Sequence, residues 1–144
     1  MTKLKNILFV CTGNTCRSAM AKAIADKICF ENNLSYCFDS CGLAAQDGSA
    51  ASDGAIAALS ELYGIDLSYH RSKQISRELL DNADVVFAMS QNHALPIMAL
   101  DEYRDKVRVA NPPISDPYMQ STEVYKACAK ELYAQIEALL KEMA

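Results

Sequence analysis

The feature that most narrows the fold is a junction near the start of the chain. The short run Asn6-Ile7-Leu8-Phe9-Val10 passes directly into Cys11-Thr12-Gly13-Asn14-Thr15-Cys16-Arg17-Ser18. An unbroken apolar run of this length marks a strand buried on both faces, not one alternating between core and solvent. From about Ser18 to Phe30, Met20, Ala21, Ile24, Ala25 and Ile28 recur at helical spacing. The eight residues between therefore turn a buried strand into a helix.

The rest of the chain repeats that alternation. Tyr36-Cys37-Phe38-Asp39-Ser40 reads as a second strand closed by Gly42, and Ser52 to Tyr63 as a helix with Ser52 as N-cap and Gly64 past its end. Ser76 to Asn82 forms a short helix with a cap at Ser76. Asp84 to Met89 is another buried strand, and Lys106 to Ala110 is the last one. A final helix spans Val124 to Met143, with Val124, Cys128, Leu132, Ile136, Leu139 and Leu140 on the face toward the sheet. Strands alternating with helices predict an α/β fold, a single-domain three-layer sandwich over residues 1–144, with a four-stranded parallel sheet in flavodoxin-like order.

Composition narrows the partners. A net charge of −4 disfavours nucleic acid, which requires a broad basic surface. No apolar run reaches the roughly 18–20 residues that cross a bilayer, so no membrane partner is expected. The start Met1-Thr2-Lys3-Leu4-Lys5-Asn6 lacks the apolar segment and cleavage site of a signal peptide, which predicts a cytoplasmic protein. There the six cysteines are free thiols rather than three disulfides. They contain no C-x-x-C pair, and His70 and His93 are distant in sequence, so no zinc site is expected. Cys29, Cys37 and Cys128 read as small core residues.

The chemistry lies in the first junction. Ligands of open α/β sheets bind beyond the carboxyl ends of the strands. A helix N-terminus there offers unpaired N–H groups and the positive end of the dipole to a dianion. Gly13 and Asn14 tolerate the left-handed backbone that turns successive N–H groups inward. Arg17 can grip two phosphate oxygens with its planar fork, most tightly as charge grows on them. Cys11 sits where the same field favours the nucleophilic thiolate, and Ser18 can donate to the sulfur as it leaves. A second loop, Asn111-Pro112-Pro113-Ile114-Ser115-Asp116-Pro117-Tyr118, follows the last strand on the same side of the sheet. Asp116 there meets the need for a proton donor to the leaving group, and Tyr118 offers an aromatic wall. Taken alone, this loop reads more readily as an ordinary Asp-Pro turn.

Phe9 to Ser18 together with Asp116-Pro117-Tyr118 resembles the low-molecular-weight protein tyrosine phosphatase family, and the resemblance runs nearly end to end. It implies Cys11 as nucleophile, Arg17 as phosphate ligand, Asp116 as acid and then base, and a phosphocysteine intermediate. It implies phosphate-binding roles for Thr12, Gly13, Asn14, Thr15, Cys16 and Ser18, and braces at Ser40 and His70. Cys16 matches a loop cysteine that can pair with the nucleophile on oxidation. The expected partner is a phosphorylated protein and the product inorganic phosphate, with no metal or other cofactor. The chain departs from the family at Ala19, where proline is usual, at Ser90, where aspartate is usual, and at Lys73, where arginine is usual. None removes a reacting group.

Phosphotyrosine is the expected substrate, with phosphoarginine close behind. Thr15 replaces the isoleucine or leucine of phosphotyrosine-directed members and resembles the protein-arginine phosphatases, whereas Tyr118 is a wall of the phosphotyrosine type. Thioredoxin-coupled arsenate reductases share the Cys-Thr-Gly-Asn loop, but Val85 to Leu100 lacks their further cysteine pair. A phosphate-binding module without turnover would have no use for Cys11. A nucleotide-binding loop fails because Gly-x4-Gly-Lys-Ser/Thr is absent.

Overall fold

The computed structural model describes residues 5–144, so the expectation about a leader at Met1-Thr2-Lys3-Leu4 lies largely outside the described residues. Strand β1 (Lys5–Cys11) is central because every one of its residues from Ile7 onward is apolar and buried. It pairs with β2 (Tyr36–Gly42) on one side and β3 (Val85–Ala88) on the other, and β4 (Val107–Val109) pairs with β3. All pairings are parallel in the order β2-β1-β3-β4, the expected flavodoxin-like arrangement.

Side chains alternate across the sheet, so β1 feeds two cores. Ile7 and Phe9 face α1 (Arg17–Glu31), α2 (Asp53–Tyr63) and a long C-terminal helix, Thr122–Met143. Phe9 packs there between Phe38 and Phe87, with ring centroids 6.0 and 5.8 Å away. Leu8 and Val10 face the other way, against Leu80 of α3 (Arg77–Asn82), Ile97 of α4 (Gln91–Met98) and Tyr103 of a 3-10 turn, Asp101–Lys106. The C-terminal helix is α5. Among the described residues no helix is long and apolar enough to cross a membrane.

Several expectations are corrected. Neither α4 nor the 3-10 turn was anticipated. Cys29 and Cys128 are buried, but Cys37 is exposed. It is the second residue of the edge strand, opposite Asn6, where a cleft of ≈ 280 Å³ lies between the strands and α3. Val124 is exposed as well. The helix starts at Thr122, and the buried stripe begins one residue later, at Tyr125. Ser76 caps α3 by accepting from the Leu79 N–H, as expected. Ser52 occupies the N-cap of α2, but its hydroxyl makes no cap bond.

Candidate active site

Cys11 is the last residue of β1 and Arg17 the first of α1, so Thr12 to Cys16 must reverse the chain within five residues. The carbonyls of this loop are pulled outward. Cys11 O accepts from Leu43 N–H (2.9 Å), Thr12 O from Ala44 N–H (2.9 Å) and Thr15 O from Ser52 N–H (3.0 Å). Asn14 O lies 2.7 Å from His70 Nε2, and because a carbonyl only accepts, that nitrogen carries the proton. With the carbonyls outward, the N–H groups of Gly13 to Cys16 donate to nothing among the described residues. A ring of unpaired donors at a helix N-terminus is an anion nest.

Asn14 is the centre of this scaffold. It is fully buried and left-handed, with φ 58°. Its amide Nδ2 donates to Ser18 Oγ (2.8 Å), and its Oδ1 accepts from the Lys73 N–H (2.9 Å). Gly13, expected to share the left-handed backbone, does not. The glycine that matters sterically to this loop is Gly42, where a Cβ would stand 2.4 Å from Thr12 O.

The Cys11 sulfur lies 2.8 Å from Ser18 Oγ. That hydroxyl is also 3.3 Å from Cys41 O, so its single proton can serve the sulfur or the carbonyl. Burial pushes the Cys41 and Cys128 thiols up to about 12, which keeps both neutral and unreactive near pH 7. Cys16 is held away from the loop centre by Ser52 Oγ (3.2 Å) and the Tyr125 hydroxyl (3.4 Å). Burial and this bond to Cys16 push the Tyr125 hydroxyl up to about 12.

Arg17 is 7% exposed although charged. Its NH1 donates to Ile114 O (3.0 Å), and its NH2 lies 3.7 Å from Asp116 Oδ2. Asp116 Oδ1 accepts the Tyr118 N–H (3.0 Å), because Pro117 between them has no N–H to give. One carboxylate oxygen is thereby anchored and the other faces the guanidinium. Cys11, Thr12, Gly13, Thr15, Cys16, Arg17, Asp116 and Tyr118 line one pocket of ≈ 280 Å³. Behind it stand Asn14, Ser18 and His70. Ser40 is buried in register with Phe9, but none of the hydrogen bonds holding the loop passes through it.

Other lining residues went unnoticed in the sequence: Ala44, Gln46 and Ser49, from the segment between β2 and α2. Nor was buried His93 of α4 anticipated, whose Nε2 lies 2.9 Å from Thr12 Oγ1. Its position just past the carboxyl end of β3 is the signal that could have found it. Burial, opposed by the bond to Asn14, lowers the His70 pKa, with Lys22, Lys73 and Arg71 adding to the fall. Burial and then Arg17 lower that of His93, against a smaller pull from Asp116.

Known proteins share this architecture. The chain is 35% identical to a protein-arginine-phosphatase of Bacillus subtilis (strain 168), covering 96% of each. Its structure superposes with TM-score 0.92 on a low molecular weight protein tyrosine phosphatase from T. tengcongensis, at 37% identity, covering 96% of this chain and 99% of the other. YwlE arginine phosphatase, solved as a cysteine-to-serine mutant with a phosphorylated active-site serine, superposes with TM-score 0.90 at 34% identity, covering 96% and 95%. Residues 6–144 match the family described as low molecular weight phosphotyrosine protein phosphatase, and the chain belongs to that family.

Proposed function

We propose that this enzyme removes phosphate from phosphoarginine in proteins, through a phosphocysteine on Cys11. The dianion sits in the nest of N–H groups from Gly13 to Cys16, clamped by Arg17, which gives up its contact with Asp116 to do so. The Cys11 thiolate attacks phosphorus. An S–P bond forms as the P–N bond breaks, and Asp116 gives its proton to the leaving guanidine nitrogen. Asp116, now a carboxylate, takes a proton from a water whose oxygen attacks the phosphocysteine. The S–P bond breaks, Ser18 donates to the returning thiolate, and inorganic phosphate leaves. Six free thiols suit the reducing compartment in which such a nucleophile survives, which supports a cytoplasmic setting.

The observation that carries the choice of substrate is a set of oxygen-bearing side chains in the pocket wall. Thr15, Gln46, Ser49 and Asp116 all line it, and each carries an oxygen that can accept from guanidinium N–H donors. The full-length relative named as a protein-arginine-phosphatase supports the same reading. A second reading, phosphotyrosine, rests on Tyr118, whose ring edges the same pocket.

The test is kcat/KM for phosphoarginine and phosphotyrosine peptides side by side, with Cys11→Ser as blank. A preference for phosphoarginine of at least about 10-fold is expected, shrinking in Thr15→Ile. Preference for phosphotyrosine, unchanged by Thr15→Ile, would transfer the selector role to Tyr118. Turnover no better than the blank on both would end the phosphatase reading.

A further inference from the structure

The nucleophile loop is held from α1, β2 and the segment around His70, but one tie comes from the opposite side of the sheet. His93 lies in the first turn of α4, 6% exposed, with a hydroxyl at each ring nitrogen. Ser90 Oγ is 2.7 Å from Nδ1, and Thr12 Oγ1 is 2.9 Å from Nε2. Ser90 stands at the N-cap of α4, a position where serine ordinarily bonds a helix N–H, yet its side chain makes no cap bond. The hydroxyl is committed to the imidazole instead. Neither ring nitrogen turns to a core carbonyl, and Nε2 reaches an exposed threonine directly after Cys11.

Thr12 is gripped on two sides. Its carbonyl accepts from Ala44 N–H and its side chain meets His93, so the peptide joining Thr12 to Gly13 has little freedom to rotate. That peptide opens the ring of inward N–H groups. A neutral imidazole has one donor and one acceptor nitrogen, which suits a directional chain from Ser90 through His93 to Thr12. The ring is in contact with Ser90 at the N-cap of α4 and with Thr12 of the loop, and the charges that act on it are Arg17 of α1 and Asp116 of the acid loop. Burial and Arg17 both oppose its protonation, so the chain operates with an uncharged ring near pH 7.

We propose that His93 is a positioning residue of the phosphatase reaction: oriented by Ser90, it acts through the Thr12 hydroxyl to fix the loop peptide that follows the nucleophile. The proposal rests on the phosphatase reading above and adds to it a residue that touches neither phosphate nor leaving group.

Two readouts separate it from failure of that reading: steady-state kcat and KM, and binding of inorganic phosphate by calorimetry. His93→Leu should lower kcat on the order of 10-fold and weaken phosphate binding, while His93→Gln, which keeps one hydrogen bond, recovers part of both. Thr12→Val should lose more than Thr12→Ser, because only serine keeps an oxygen for Nε2. The double variant His93→Leu/Thr12→Val should lose no more than the worse single, the mark of two residues acting in series. Losses that multiply in the double variant would overturn the proposal. So would a lowered Tm with unchanged kcat and phosphate affinity. Thr12 is exposed, so its variants keep the test open if His93→Leu fails to fold. Equal phosphate affinity in Thr12→Val and Thr12→Ser then counts against the proposal. Phosphate binding reports on the loop even if the wild type showed no turnover.

Discussion

Two loops meet over the Cys11 sulfur, and they are built on opposite principles. The nucleophile loop is bound at most of its carbonyls and anchored by the buried Asn14, which alone makes three side-chain and backbone ties. The acid loop carries Asp116 and Tyr118 with side chains that are largely exposed, and Met119 is 84% exposed with φ 64°. The contrast matches what the proposed mechanism asks of each. An anion is stabilised only by dipoles already in place, since dipoles that must reorganise cost what they gain. A proton donor has to meet leaving groups of varied shape, so it is carried on a segment that substrate can press against.

The largest effect should come from the exposed loop. Asp116→Ala should reduce kcat roughly 10²- to 10⁴-fold with poor leaving groups and far less with good ones. An equal loss with both would remove Asp116 from the proton transfer and break the contrast. Asn14→Ala should then cost about 10- to 100-fold in kcat whatever the leaving group, because it misplaces donors instead of removing a proton. Leaving-group dependence in that variant would blur the division of labour.

Smaller still, Gly42→Ala should destabilise the fold by about 1–3 kcal/mol, read from urea midpoints, since a Cβ there meets Thr12 O and neither backbone can yield. An unchanged midpoint would mean the nucleophile loop is softer than its bonding implies. The mildest prediction concerns acid. Burial lowers the pKa of both His70 and His93, so the unfolded chain binds protons that the folded one refuses. Stability should therefore be flat above about pH 7.5 and decline as pH falls below the ordinary histidine value of about 6.5. A midpoint that stays level from about pH 7.5 to 5.5 would contradict the burial of these rings.

β1 and β3 were legible because central strands of a parallel sheet carry unbroken apolar runs, and the run in β1 leads straight to Cys11. Helix α4 was illegible: it is eight residues long, carries Pro96, and its N-cap serine spends its hydroxyl on a histidine. His93 disappeared with it, since its partner Thr12 is 81 positions away and no local pattern joins them. Cys37 misled for the opposite reason: its neighbours look like core, but an edge strand leaves one face uncovered at its start. In α5 the period and phase were read correctly from Cys128 onward, and only Val124, in the first turn, lies off the buried stripe.

Ile114 joins the two loops in a manner with a consequence for descent. Its N–H is bonded to Met89 O at the end of β3, and its carbonyl holds the Arg17 guanidinium. Both ties use main-chain atoms, which a point mutation leaves in place as long as the buried side chain still fits. The phosphate clamp is thus insulated from drift in the residues around it. Asp116 aside, the exposed side chains after Ile114 carry neither of these ties, so changes among them leave the clamp's support in place.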